Sequence, residues 1–261
     1  MRRSLLVLAP ALVLAALTGC SGDQDSTPTT TPSGSSSLSG KITVFAAASL
    51  TESFTALGQQ FEAAHPGTDI QFSFGPSSGL ATQITQGAPA DVFAAASPKT
   101  MDQVVTVGGA AAPKTFATNS AEIAVPPGNP AKINSVSDLT AKGVKVALCD
   151  EAVPCGAIAR QVFTNAKVRV TPVTNEVDVK AVLSKVQLGE VDAGVVYVTD
   201  VKAAGDKVLG IPIPQDVNAS TSYPIATVTK STNPRLAAAF TDYVLSDAGT
   251  TVLTAAGFVA P

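Results

Sequence analysis

The chain has 261 residues, which is long enough for one or two domains with a large buried core. Hydrophobic residues make up 45% and charged residues 14%, which excludes a largely disordered chain; the formal net charge of -3 and the lack of an internal basic tract argue against nucleic acid as a partner. One histidine, His65, and three separated cysteines offer neither a zinc cluster nor a convincing nucleophile and base, so most hydrolase chemistry is disfavoured.

The N-terminus has the pattern of an export signal. Two arginines precede an apolar run, Leu5–Leu17, which is too short to span a bilayer and predicts a signal peptide over residues 1–19. The next residue, Cys20, ends a Leu-Thr-Gly-Cys sequence that resembles a bacterial lipobox, which implies cleavage before Cys20 and lipid on its sulfur. The alternative is an ordinary secreted protein with a chance cysteine. Residues 20–40 are rich in Ser, Thr, Pro and Gly and predict a flexible linker.

From residue 41 onward, short apolar runs alternate with stretches of helical period, which predicts an α/β fold with parallel strands. The predicted strands are Ile42–Ala47, Asp69–Phe74, Asp91–Ala95, Val144–Leu148, Val168–Val173 and Ala193–Tyr197. The predicted helices are Leu50–Ala64, Leu80–Gln86, Pro98–Val107, Ala157–Ala166, Val177–Leu188, Pro234–Leu245 and Ala248–Ala255.

Two α/β lobes fit this alternation better than one. The chain is expected to pass between them at the Pro-rich stretch Val125–Pro130 and at Ser220–Thr229. The predicted first lobe therefore comprises residues 41–122 and 224–261, and the second lobe comprises residues 123–223.

Four predicted strand-to-helix turns carry small residues and hydroxyls. Ser49 stands three residues before Glu52, a capping-box spacing with Ser49 as N-cap, and the other turns are Gly75–Leu80, Pro154–Ala157 and Asn175–Lys180. A helix start exposes unpaired N–H groups and a partial positive charge, so four converging starts can hold a dianion without a formal charge. A serine at a helix start caps the helix more often than it binds a ligand, so each turn by itself is weak evidence.

Taken together, these stretches resemble the molybdate-binding proteins of bacterial ABC importers over essentially all of residues 41–261. The matching sequences are Ile42–Leu50, Ser77–Ala81, Gln86–Phe93, Gly194–Tyr197, Tyr223–Ala226 and Gly257–Phe258. The resemblance implies a periplasmic-binding-protein fold of type II, in which two α/β lobes joined by a two-segment hinge close on a tetrahedral oxyanion.

The resemblance also implies the ligand and the residues that bind it. The ligand is molybdate or tungstate, delivered to an ABC permease by a monomer on the outer face of the cell membrane, with no cofactor, no catalytic residue and no metal other than that of the oxyanion. The implied ligand groups are the hydroxyl and N–H of Ser49 and of Ser77, the N–H groups of Cys155 and Val179, and the hydroxyl of Tyr197.

Cys149 and Cys155 are close in an exported chain whose third cysteine is assigned to lipid, which predicts a disulfide; the alternative is a pair of free, buried thiols. Three other functions remain open. One is a receptor for another tetrahedral oxyanion such as sulfate. Another is a secreted enzyme with Ser49 or Ser77 as nucleophile, which would lack a general base because His65 stands at a predicted helix stop. The third is a ligand-free sensor or adhesion module.

Overall fold

Strands and helices alternate along residues 37–261, the part of the chain that the computed structural model describes. The predicted signal peptide, Cys20 and most of the linker lie outside the described residues. The strands are β1 (Gly40–Ala47), β2 (Thr68–Gly75), β3 (Val92–Ala94), β4 (Lys114–Val125), β5 (Val146–Cys149), β6 (Thr174–Glu176), β7 (Ala193–Tyr197), β8 (Leu209–Pro212) and β9 (Ser220–Thr227). The helices are α1 (Thr51–Ala64), α2 (Ser77–Thr85), α3 (Pro98–Thr106), α4 (Pro154–Asn165), α5 (Val179–Gln187), α6 (Val198–Ala204), α7 (Pro234–Val244) and α8 (Asp247–Ala256).

The strands pair in the order β2-β1-β3-β9-β4-β7-β5-β6, with β8 also paired to β4. Parallel pairing holds at the two ends of this order, where β1 pairs with β2 and β3, and β5 pairs with β6 and β7. The middle is antiparallel, because β9 runs against both β3 and β4, and β4 runs against β7. The prediction of parallel strands is therefore correct for the two ends and wrong for the middle.

Buried apolar residues gather on two stretches of this order. The first core draws its residues from 42–117 and 223–258, and the second core draws its residues from 121–213. Residues 37–261 also form one compact unit, so the predicted lobe boundaries stay a prediction.

Strand β4 connects the two cores. It pairs with β9 through Lys114–Ser120 and with β7 through Ala121–Ala124, so the change of partner falls inside one unbroken strand, just before the Pro-rich stretch Val125–Pro130. The predicted return passage, Ser220–Thr229, coincides with strand β9 and stays a prediction. The Pro-rich stretch follows the end of strand β4. The change of pairing partner, from β9 to β7, lies earlier, between Ser120 and Ala121.

The predicted strand Val168–Val173 is wrong. Pro172 has no N–H to donate to a ladder, and pairing with β5 begins only when Val173 donates to the carbonyl of Val146 at 2.9 Å. The strand in this position is the three-residue β6. Because β6 is so short, the turn that starts α5 follows directly from the carboxyl end of the sheet.

Candidate functional site

Four helix starts meet at one small cavity, as the turns in the sequence suggested. The turns follow β1, β2, β5 and β6, so the first core contributes two of them and the second core contributes two. The cavity is lined by Ala47, Ala48, Ser49, Gly75, Pro76, Ser77, Ala96, Val153, Pro154, Cys155, Asp178, Val179 and Tyr197. All five residues predicted to bind the ligand are in this set.

The size of the cavity limits its occupant. About 20 Å³ is open to the centre of a water-sized sphere, whereas one water molecule needs about 10 to 15 Å³ on this measure. A guest somewhat larger than water fits without rearrangement. Sites for organic ligands of drug size are larger by an order of magnitude, at roughly 300 to 1,000 Å³. The cavity therefore favours a small inorganic ion over a sugar or an amino acid.

Ser49 reaches the cavity from a 3-10 turn, Ala48–Leu50, that precedes α1. The predicted capping box is wrong, because the N-cap of α1 is Leu50 and no side chain caps it. The hydroxyl of Ser49 instead lies 2.9 Å from the hydroxyl of Tyr223. The carboxylate of Glu52 accepts hydrogen bonds of 2.8 and 2.9 Å from Lys180. The hydroxyl of Ser49 is thus not used to cap its own helix.

Ser77 is the first residue of α2, and it is buried. Its hydroxyl oxygen accepts a hydrogen bond of 3.0 Å from the N–H of Ala96. An N–H group can only donate, so the proton of the Ser77 hydroxyl remains available for another acceptor. The N–H of Ser77 lies in the first turn of the helix, where the helix itself offers no acceptor.

Cys155 and Val179 offer backbone groups from the first turns of α4 and α5. A disulfide joins Cys155 to Cys149 at the end of β5, with the two Cα atoms 5.7 Å apart. The following residue, Gly156, packs so closely on this turn that an added Cβ would lie 2.0 Å from the carbonyl oxygen of Asp150. The disulfide and the glycine hold the start of α4 against the strand that precedes it.

Tyr197 ends β7, and its side chain is buried. In the part of the chain that the structure describes, its hydroxyl and Oδ1 of Asp200 are the buried side-chain polar atoms without a hydrogen-bond partner. Burial, followed by the neighbouring Tyr223 and Asp200, raises the pKa of Tyr197 well above its usual value. The phenol therefore keeps its proton at neutral pH and can donate a hydrogen bond into the cavity.

Each charged group near the cavity has a partner within the protein. Asp178 lines the cavity and caps α5, where its Oδ1 accepts the N–H of Ala181 at 2.9 Å. Lys180 lies 2.8 Å from Glu52 Oε2 and 3.3 Å from Asp200 Oδ1. Burial raises the pKa of Asp200 to about 6, although Lys180 opposes the shift. Among the described residues that line the cavity, none is a lysine or an arginine.

These groups suit anion binding better than catalysis. His65, the only histidine of the chain, caps the far end of the 14-residue α1, about 20 Å along the helix axis from its start. Its ring packs on Phe61, with ring centroids 4.5 Å apart. Neither Ser49 nor Ser77 therefore has an imidazole beside it.

Within residues 37–261, no group of three or more His, Cys, Asp or Glu side chains is arranged to hold a metal ion. Among the same residues, no helix has the length and apolar character that crossing a membrane requires.

A set of residues behind the cavity lining was not predicted from the sequence. It comprises Tyr223, Asn119 and the Glu52–Lys180–Asp200 group. Tyr223 belongs to a sequence stretch that resembles the family, but nothing in its spacing shows that it contacts Ser49 across 174 residues of chain. Asn119 lies in β4, a strand that the sequence did not predict.

The chain is similar to known proteins over most of its length. A molybdate-binding protein ModA from Mycobacterium tuberculosis strain H37Rv is 40% identical over 255 residues, which cover 97% of each chain. The periplasmic molybdate-binding protein of Azotobacter vinelandii has the same fold, with a TM-score of 0.75 and 22% identity over 84% of this chain and 99% of that one. The sulfate-binding protein SubI from M. tuberculosis also has this fold, with a TM-score of 0.71 and 19% identity over 84% of this chain and 86% of that one.

The two structural neighbours bear the names of different anions, so the fold by itself does not identify the ligand. The class of protein is established by a family model described as bacterial extracellular solute-binding protein, which matches residues 42–259. The chain belongs to the bacterial extracellular solute-binding proteins.

Proposed function

We propose that this protein captures molybdate or tungstate outside the cytoplasm and delivers it unchanged to an ABC permease. The observation that carries the proposal is the Tyr197 hydroxyl, which is buried at the cavity without a partner. An unpaired buried hydroxyl costs about 1 to 3 kcal/mol, which an oxyanion oxygen would relieve. The 40% identical relative named for molybdate binding supports the choice of anion.

Seven uncharged donors hold the anion in this proposal. They are the hydroxyl and N–H of Ser49 and of Ser77, the N–H groups of Cys155 and Val179, and the hydroxyl of Tyr197. Hydrogen bonds to a charged group contribute about 1.5 to 3 kcal/mol each, or on the order of 10 to 20 kcal/mol for seven. Association costs roughly 4 to 15 kcal/mol, and a micromolar complex needs about 8 kcal/mol net. Tight binding therefore does not need a lysine or an arginine.

A site made only of donors also selects among anions. Molybdate, tungstate and sulfate carry no proton at neutral pH, whereas phosphate does and would need an acceptor. Asp178 is the carboxylate that lines the cavity, and its Oδ1 is engaged by the N–H of Ala181 at the start of α5. Phosphate should bind poorly as long as the Asp178 carboxylate stays turned towards the start of α5 and does not reach the anion.

The lobes proposed for closure are residues 41–122 with 224–261, and residues 123–223. Ser49 and Ser77 belong to the first, and Cys155, Val179 and Tyr197 belong to the second. An anion between them bonds to both, so binding favours the closed arrangement. We further propose that lipid on Cys20 anchors a monomer to the outer face of the membrane. The mass of the mature protein, compared with that of Cys20→Ser, tests the anchor.

Isothermal titration of the full chain carrying Cys20→Ser tests the function. We expect molybdate and tungstate to bind with similar affinity, because the two ions have the same charge and nearly the same radius, and sulfate and phosphate to bind more weakly. A preference for sulfate would make the protein a sulfate receptor. No heat from any of the four anions would overturn oxyanion binding and leave the secreted enzyme and the ligand-free sensor or adhesion module as the alternatives.

A further inference from the structure

A chain of buried polar groups runs from strand β4 to the cavity. Tyr223, on β9, is fully buried, and its hydroxyl oxygen lies 2.9 Å from the hydroxyl oxygen of Ser49 and 3.5 Å from Nδ2 of Asn119. Asn119 is buried on β4, close to the point where that strand changes partner between the two cores. Tyr223 and Asn119 do not line the cavity, so they act on an anion through residues that do, and Ser49 is the lining residue whose hydroxyl lies at hydrogen-bond distance from Tyr223.

The direction of each hydrogen bond in this chain follows from its fixed donors. The N–H of Ser120 can only donate, and it lies 3.1 Å from the side chain of Asn119, so the atom that accepts is Oδ1. Nδ2 of Asn119 therefore faces Thr199 Oγ1 at 2.8 Å and the hydroxyl of Tyr223. It donates a hydrogen bond to each.

The hydroxyl of Tyr223 has one proton, and that proton needs a hydrogen-bond acceptor. Burial raises the pKa of Tyr223 above its usual value, so the phenol is neutral. Its oxygen accepts from Asn119, and the hydroxyl of Tyr197 makes no hydrogen bond to it. The proton of Tyr223 goes to the oxygen of Ser49, and the proton of Ser49 is left to face the cavity.

The hydroxyl of Ser77 is also oriented by a donor, which comes from a different part of the chain. The N–H of Ala96 donates to its hydroxyl oxygen, so the proton of Ser77 is also free for the cavity. The two serine hydroxyls that line the cavity are thus each supplied with a donor from behind.

We propose that Asn119 and Tyr223 are positioning residues that orient the Ser49 hydroxyl as a donor and so make the site reject protonated oxyanions. The inference rests on the proposed function and adds the residues that determine its selectivity. Without the donor behind it, the Ser49 hydroxyl can turn so that its oxygen accepts a hydrogen bond from the P–OH group of hydrogen phosphate. With that donor in place, the hydroxyl cannot do so without leaving the Tyr223 proton unpaired.

The test is Tyr223→Phe in the full chain carrying Cys20→Ser, titrated with molybdate and with phosphate at neutral pH. The ring keeps its edge contacts with Phe116, Tyr197 and Phe258 and loses only the hydroxyl. We expect the molybdate Kd to rise about three- to tenfold, and the ratio of phosphate Kd to molybdate Kd to fall by about tenfold. Tyr243→Phe is the matched control, because the Tyr243 hydroxyl donates to Gln60 on an exposed surface; both Kd values should stay unchanged.

A double-mutant cycle with Ser49→Ala separates positioning from structural damage. If Tyr223 acts through Ser49, Tyr223→Phe adds no further loss of molybdate affinity in the Ser49→Ala background. An equal loss in both backgrounds, or an unchanged anion ratio in Tyr223→Phe, overturns the relay.

Unmutated protein that binds no tetrahedral oxyanion overturns the proposed function and the relay together, whereas failure of the variants alone overturns only the relay. If Tyr223→Phe does not fold, as judged by circular dichroism, Asn119→Leu removes the donor behind Tyr223 and must lower the anion ratio in the same direction.

Discussion

The Ser49 and Tyr197 hydroxyls approach one cavity from different cores. Leu50, next to Ser49, belongs to the first core, and Tyr197 belongs to the second. Each hydroxyl is buried, so its hydrogen bond to an anion meets little competition from water. Their loss should therefore be measurable, which is not expected of a hydroxyl at the protein surface.

We expect Ser49→Ala and Tyr197→Phe each to weaken molybdate binding by about 1 to 3 kcal/mol, the value of a hydrogen bond to a charged group. Isothermal titration measures the change. Ser78→Ala is the matched control, since Ser78 follows Ser77 in α2 but does not line the cavity. A larger loss in Ser78→Ala than in Ser49→Ala would mean that the ligand set is wrong.

Asp200 gives the stability of the protein a definite dependence on pH. Its pKa is about 6 in the folded protein and 3.8 in an unfolded chain, so the folded state holds the proton more tightly. The stability linked to this proton is present below pH 3.8 and is lost as the pH rises through 6.

Asp200→Asn removes this titration and still accepts the N–H of Tyr197 that Asp200 now binds at 3.1 Å. We expect the free energy of unfolding of the variant, relative to the unmutated protein, to increase by on the order of 2 to 3 kcal/mol between pH 4 and pH 7. Urea unfolding at several pH values measures it, with the exposed Asp206→Asn as control. A difference that does not vary with pH would contradict the shift.

The predictability of the site depended on what kind of group each residue contributes. The turns that start α2, α4 and α5 can be read from the pattern of strands and turns. The choice of the Cys155 and Val179 N–H groups within those turns came from the resemblance to the molybdate-binding proteins. The roles of Ser49 and Tyr223 depend on a contact between residues 174 positions apart, which no local pattern encodes. The capping-box spacing at Ser49 was misleading because Glu52 has a stronger partner in Lys180.

The start of α4 is fixed by covalent and steric means together. The disulfide between Cys149 and Cys155 closes a short loop, and Gly156 lets the helix approach the backbone of Asp150. A more mobile turn would present the Cys155 N–H over a range of directions. The disulfide should therefore contribute to anion affinity as well as to stability.

Replacing both Cys149 and Cys155 with serine tests this expectation, because serine keeps the N–H at position 155. We expect the free energy of unfolding to fall by about 2 kcal/mol, as chain entropy predicts for so short a loop. The molybdate Kd should rise as well. Titration and urea unfolding give the two values, and a thiol reductant added to the unmutated protein should reproduce both. Lower stability with unchanged affinity would show that the disulfide does not position the N–H.

Elements with strong periodicity were predicted well, and those defined by tertiary pairing were not. The predicted helix over Leu50–Ala64 is confirmed as α1, and that over Pro234–Leu245 is confirmed as α7. Strand β4 was missed because the buried positions in its middle hold Ala117, Asn119 and Ala121, which do not give an apolar alternation in the sequence. Short strands such as β6 are defined by their neighbour more than by their own sequence.

Lys180 connects the two cores through charge. It lies on α5 in the second core, beside the buried Asp200 of α6, and also binds Glu52 on α1 of the first core. Burial lowers the pKa of Lys180, but the charges of Asp200 and Glu52 outweigh this effect and the net shift is upward. Lys180 therefore carries its positive charge at neutral pH.

Glu52→Gln removes the charge of Glu52 from this ion pair between the cores and leaves the Lys180–Asp200 pair intact. We expect the molybdate Kd to rise about two- to fivefold, the range for a partly exposed ion pair, through faster dissociation. Glu190→Gln is the control. Glu190 follows the end of α5 and pairs with Lys185 of that helix, without reaching the first core. Stopped-flow dissociation rates measure both variants, and equal rates would show that the Glu52 contact does not hold the closed arrangement.

The neutral lining of the cavity has a consequence for how the protein works in media of different ionic strength. Receptors that attract anions with lysine and arginine lose association rate as salt screens the attraction. Here the chain carries a net charge of -3, and the described side chain with a formal charge at the cavity is that of Asp178. Screening therefore weakens a repulsion, so capture of a dianion should become faster as salt is added, while the bonds formed inside the cavity stay as strong.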